Sequence, residues 1–153
     1  FYFALWYIET EGMDYRMFYS ELGKLLYAVA DADGIVSPQE KQHMFELVQN
    51  RLMHKETHTD EFGTNDAWYA AFEFEVADEQ IMSATDAFLS FTEYIEENKN
   101  NLDEDTRQLC LILADRLADS YRHTSKKEKA LIQKLREVLF SLENQASTPK
   151  KGR

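Results

Sequence analysis

Apolar residues recur every three or four positions along most of this chain, the spacing of a helix with one buried face. Leu22, Leu25, Leu26 and Val29 form such a face on a first helix that Asp14 can open as its N-cap. Ser37-Pro38-Gln39-Glu40 opens a second helix with three agreeing signals. Ser37 caps, Pro38 fits the first helical position where no N–H is needed, and Glu40 can close a capping box. Met44, Leu47 and Val48 carry the apolar face on to Leu52. From His54 to Asn65 the chain is polar and aperiodic, with Gly63, and reads as a loop. Asn65 or Thr64 can cap a short aromatic helix using Trp68, Phe72 and Val76. Phe72-Glu73-Phe74-Glu75-Val76 also alternates as a strand would, but nothing nearby offers a partner strand.

Ile81, Phe88, Phe91 and Ile95 define the next helix, which runs out at Asn98-Lys99-Asn100-Asn101. Asp103 starts another, with Leu109, Ile112, Leu113 and Leu117 inward. Ser125-Lys126-Lys127-Glu128 is a second capping box, followed by Leu131, Ile132, Leu135, Val138 and Leu139. The expected fold class is all-α, a compact bundle of about six helices.

One stretch occurs twice. Ala30-Asp31-Ala32-Asp33-Gly34-Ile35-Val36-Ser37-Pro38-Gln39-Glu40 returns in degenerate form as Ala118-Asp119-Ser120-Tyr121-Arg122-His123-Thr124-Ser125-Lys126-Lys127-Glu128. In that register Ala30, Asp31, Ser37, Glu40 and Lys41 meet identical residues at Ala118, Asp119, Ser125, Glu128 and Lys129. Val29, Met44 and Leu47 meet the apolar Leu117, Ile132 and Leu135. A register shared over helix, turn and helix points to a duplicated helix-turn-helix hairpin. The copies part at the turn, where Asp33 and Gly34 face Tyr121 and Arg122. Chemistry that needs an acidic turn therefore belongs mainly to the first copy.

Composition narrows the function classes. With 153 residues, 44% hydrophobic and 29% charged, the chain reads as one ordinary globular domain with a real core. The domain spans 13–146, between an apolar segment 1–12 and a disordered basic tail 147–153 carrying Lys150, Lys151 and Arg153. A net charge of −11 repels nucleic acid and anionic membrane and favours cations or basic partners. The longest apolar run, Phe1 to Ile8, is short of the ~20 residues that span a bilayer, so no membrane insertion is expected. Cys110, the single cysteine, sits among leucines as a small buried hydrophobe, and its solitude is compatible with a reducing cytoplasm. The expected location is cytoplasmic.

The motif Ala30-Asp31-Ala32-Asp33-Gly34-Ile35-Val36-Ser37-Pro38-Gln39-Glu40, with its echo, resembles the signature of the TerB-like family. That family is named for bacterial tellurite-resistance proteins, and related domains occur beside J-domain co-chaperones. Its pattern is a helix ending in Ala-x-Ala-Asp-Gly, then a hydrophobic residue, Ser or Thr, and a Glu opening the next helix. The likeness covers Leu22–Leu52 and Leu109–Leu139. It implies an all-helical fold, a divalent-cation site at the acidic turn and a role in stress or metal-resistance assemblies. The implied partner is a protein, including membrane-associated stress-resistance components. No enzymatic activity comes with the resemblance.

The acidic turn reads two ways. Asp31 and Asp33 stand at the negative end of the first helix, where each carboxylate costs roughly 0.3–1 kcal/mol unless compensated. A metal ion held by Asp31, Asp33, a turn carbonyl and Glu40 would compensate, and oxygen ligands suit Ca²⁺ or Mg²⁺. Gly34 supplies the backbone freedom such a turn needs. The other reading is structural: Asp33 makes an Asx-turn, Glu40 is used in its capping box, and the second helix's N-terminus neutralises Asp31. The loop is not an EF-hand, because its acidic positions and the early Glu do not fit.

Elsewhere the chemistry is sparse. His54 and His58 share the spacing of a metal pair, but polar surroundings favour a solvated helix end, and His43 and His123 have no evident partner. Glu93, Glu96 and Glu97, with Asp103, Glu104 and Asp105 beyond, form an acidic stretch, either a solvated face or a docking surface for a basic partner. Phe1-Tyr2-Phe3-Ala4-Leu5-Trp6-Tyr7-Ile8 must pack into the core, contact another copy as a homo-oligomer interface, or be foreign to the natural chain. No nucleophile set or phosphate-cradling loop is present, so the protein is expected not to be an enzyme.

Overall fold

The computed structural model describes residues 14–32, 34, 36–52, 65–119 and 125–147. These form six α-helices: α1 Tyr15–Ala30, α2 Pro38–Leu47, α3 Trp68–Glu79, α4 Ala84–Glu97, α5 Glu104–Ala118 and α6 Lys126–Ser147. A π-helical turn, Val48–Leu52, prolongs α2, and a 3₁₀ turn, Lys99–Asn101, follows α4. The all-α bundle expected from the pattern is the fold observed.

Helix α1 is the axis of the bundle. It packs against α3, α4, α5 and α6, and so buries residues around most of its circumference, from Phe18 and Leu22 through Leu26 to Ala30. Its start follows the capping rule: Asp14 Oδ1 accepts the Arg16 N–H at 3.1 Å and the Met17 N–H at 3.3 Å. The two hairpins also meet reciprocally. Helix α2 touches α5 and α6 touches α1, while α1 and α5 touch each other. This is the pattern expected of two copies of one unit laid face to face.

The closest helix pair is α1 with α3, and its seam was hidden from periodicity. Gly23 lies under α3 so tightly that an added Cβ would run into the Ala70 carbonyl oxygen and come within 3.0 Å of the Glu73 Cβ. The buried face of α3 is Ala70, Ala71, Phe74 and Ala77, whereas Phe72 is 50% and Val76 40% exposed. Small residues let the two backbones approach, which a search for large apolar residues passes over. The Phe72–Val76 stretch is helix, not strand.

Two further expectations change. Ile81 does not join α4; it is 85% exposed at φ +55°, just past α3. There the Met82 N–H donates back to the Ala77 carbonyl at 3.0 Å, closing a Schellman-type stop with Ile81 in the left-handed place usually given to glycine. Ile112 is 38% exposed; Cys110, Leu113, Ala114 and Leu117 form the inward face of α5 instead. Helix α5 opens as expected, with Asp103 Oδ1 accepting the Thr106 N–H at 2.8 Å.

Candidate functional site

The acidic turn links the carbonyl end of α1 to the N–H end of α2. The Asp31 N–H still donates to Tyr27 O at 2.8 Å, and the Asp31 carbonyl then accepts the Gly34 N–H at 2.8 Å. Gly34 takes φ +93°, in the left-handed region where a side chain would be strained. Ser37 opens α2 with both bonds of the capping box. Its Oγ accepts the Glu40 N–H at 3.1 Å, and Glu40 Oε1 accepts the Ser37 N–H at 2.9 Å. Glu40 is buried, while Asp31 is half-buried. Asp33 lies outside the described residues.

The charges of this end reach α3. Lys41, one residue past the box, pairs with Asp78 at 2.9 Å and Glu75 at 3.6 Å. Its pKa is raised, first through the hydrogen bond to Asp78. Tyr27 donates its hydroxyl to the Met82 carbonyl at 2.6 Å. Burial pushes the Tyr27 pKa up, and the nearby charges of Asp31 and Asp78 push it further.

A Ca²⁺ ion takes six to eight oxygen ligands. Among the described residues no three His, Cys, Asp or Glu side chains converge closely enough to hold a metal ion. Of the carboxylates named for the site, Asp31 and Glu40 are described, and Glu40 already receives the Ser37 N–H.

The echo clarifies what Glu40 is for. Ser125 Oγ accepts the Glu128 N–H at 3.1 Å, and Glu128 Oε1 accepts the Ser125 N–H at 2.8 Å. Glu128 is 3% exposed, even more enclosed than Glu40 at 7%. The same box thus forms where the sequence of the turn reads Tyr121-Arg122 rather than Asp33-Gly34.

A second cluster escaped sequence reasoning. Ser90 of α4 donates to Glu21 Oε1 at 2.8 Å, and Lys24 Nζ reaches both Glu21 Oε2 and Ser90 Oγ at 3.2 Å. This triangle, mostly removed from water, ties α1 to α4 across 66 and 69 residues of sequence. Sequence separation hid it; the only local signal was the Glu21–Lys24 spacing. Beside it a hollow of about 450 Å³ is lined by Asp14, Glu21, Glu93 and Glu97, among others. A neighbouring hollow of about 700 Å³ adds Glu96 and Glu137. The acidic stretch Glu93, Glu96 and Glu97 is exposed, and it lines these open hollows.

The Tyr94 hydroxyl, buried with no hydrogen-bond partner, has its pKa raised by burial and then by Asp14 and Glu21. Burial likewise pushes the Cys110 thiol up to about 12. His43 is half-buried, with Nδ1 4.0 Å from Glu46. His54, His58, His123, the segment 1–12 and the tail 148–153 lie outside the described residues.

No known family model, curated protein or solved structure matches this chain. Among the described residues no helix is long and apolar enough to cross a membrane.

Proposed function

We propose that this chain is a non-enzymatic interaction domain of the TerB-like type, built from two capped hairpins and presenting acidic surface to a protein partner. The observation that carries this reading is the pair of matched capping boxes, Ser37–Glu40 and Ser125–Glu128. Because the box closes in both hairpins, Glu40 has a structural task that calls for no metal. The acidic hollows of α1, α4 and α6 are then the surface left for recognition, and a net charge of −11 would speed encounter with a basic partner.

A second reading keeps the turn as a divalent-cation site at Asp31, Asp33 and Glu40, in a metal-stress or tellurite-resistance setting. The placement of Asp31 favours it, half-buried at the negative pole of α1 and close enough to Tyr27 to raise its pKa. In that reading Ca²⁺ or Mg²⁺ would set the angle of the first hairpin.

Calorimetric titration of Ca²⁺, Mg²⁺, Mn²⁺ and Zn²⁺ into chelator-stripped protein separates the two. The interaction-domain reading expects no saturable binding at millimolar cation. Saturable binding that disappears in Asp31→Asn/Asp33→Asn would overturn it and make the turn a metal site.

A further inference from the structure

Helix α6 runs against the charge of the whole molecule. Lys126, Lys127, Lys129, Lys134 and Arg136 are all exposed on it, in a chain of net charge −11. Of the acids on this helix whose side chains are described, Glu128 is buried in its capping box and Glu137 is exposed next to Arg136. Among the described residues none of these five cations takes part in an ion pair. Helix physics does not reward them either. Three lie in the first turn, at the positive pole of the helix, where a cation costs rather than stabilises.

Alongside lies a groove of about 580 Å³, where α4 and α6 touch only lightly. Phe88 and Leu89 of α4 and Leu131 and Val138 of α6 contribute apolar walls, and Leu89 is 52% exposed. Lys127 and Lys134, two turns apart, stand on its α6 side, with Glu137 beyond them toward the acidic end. One end is bordered by Ala32 of the acidic turn.

We infer that the α4–α6 groove is a docking site for an amphipathic helix of a partner protein, with apolar residues on one face and Asp or Glu beside them. This rests on the reading of the chain as an interaction domain and adds a second, oppositely charged recognition surface. The apolar walls take residues at i, i+3 or i+4 and i+7, as in other helix-in-groove recognition. The unpaired lysines select carboxylates flanking that face, and the remaining acidic surface repels any helix that approaches elsewhere. A concave, walled groove suits a helix better than it suits a flat lipid surface.

The test is fluorescence anisotropy with two labelled helical peptides, one of Leu, Ala and Glu with Leu at helical spacing, the other with every Glu replaced by Lys. The Glu peptide should bind saturably and roughly tenfold or more tighter than the Lys peptide, about 1.4 kcal/mol. Lys127→Glu/Lys134→Glu should reverse that order. Leu89→Glu, at a half-exposed position, should leave the helical circular dichroism and the melt intact while weakening the Glu peptide roughly tenfold. Absent binding, equal binding of both peptides, or a Leu89→Glu variant that folds and binds as well as wild type would overturn the proposal. So would anionic vesicles binding in place of the peptide, or sedimentation showing a dimer that Leu89→Glu breaks. Cation titration at the turn does not enter this readout, so failure here and failure of the turn reading remain distinguishable.

Discussion

Glu128 closes the second hairpin as Glu40 closes the first. Each buried carboxylate accepts the N–H of the serine three residues before it, at 2.8 and 2.9 Å. Each serine returns the bond at 3.1 Å. Loss of either cap should therefore cost a similar amount. Ser37→Ala and Ser125→Ala should each lower unfolding free energy by about 1 kcal/mol. In urea titrations the double variant should lose close to the sum, since the two boxes open different helices. Glu40→Gln, which can still cap, should cost less than Glu40→Ala.

The seam between α1 and α3 makes a sharper prediction. A methyl at Gly23 would collide with the Ala70 backbone rather than with a movable side-chain tip. Gly23→Ala should destabilise by roughly 1–3 kcal/mol, although alanine is the better helix former. A thermal melt at or above the wild-type midpoint would show that the seam opens freely.

Ile81 predicts the opposite sign. It holds a left-handed conformation that costs an ordinary residue roughly 1–2 kcal/mol, and it is 85% exposed, so little packing offsets that cost. Ile81→Gly should raise stability by about 0.5–1 kcal/mol after the entropy cost of glycine. The urea midpoint checks it.

What was legible in the sequence follows from these cases. Caps announce themselves locally, so Asp14, Ser37, Asp103 and Ser125 were placed from residue type and spacing alone, and the helices followed. Gly23, Ala70 and Ala77 were not, because a close helix seam needs small residues, which leave no mark in an apolar pattern. Ile81 misled for the reverse reason: a large apolar residue at helical spacing was a helix stop. The Glu21–Ser90–Lys24 triangle and the hollows beside it join residues far apart in the chain, which local patterns do not reveal. The capping box of Glu40 was readable from its spacing, while all three of the turn's candidate carboxylates, Asp31, Asp33 and Glu40, were open to both readings.

Acid should act partly through Asp103. Its carboxyl is held below the ordinary 3.8, chiefly by hydrogen bonds from the Thr106 side chain and backbone. A group whose folded pKa is lowered contributes stability above its unfolded pKa and loses it as pH falls through the folded value. Melting temperatures measured from neutral pH down to about pH 2 should fall less steeply below 4 in Asp103→Asn than in wild type. The variant should keep part of the cap, since asparagine also serves as an N-cap.

Cys110 should be chemically silent while the chain is folded. It is fully buried and its thiol is pushed up to about 12, so almost no thiolate exists at pH 8. Labelling by a disulfide reagent should track global unfolding and become rapid in denaturant. Fast labelling of native protein would show that α5 opens locally.

The most direct test of the turn as a cap is the melting temperature of wild-type protein in chelator against millimolar Ca²⁺ or Mg²⁺. A ligand at a hundred times its Kd stabilises the folded state by about 2.7 kcal/mol, which moves the midpoint several degrees. A capped hairpin with no metal site gives the same midpoint in both buffers. A rise of several degrees that vanishes in both Asp31→Asn/Asp33→Asn and Glu40→Gln would contradict it and make the acidic turn a cation site.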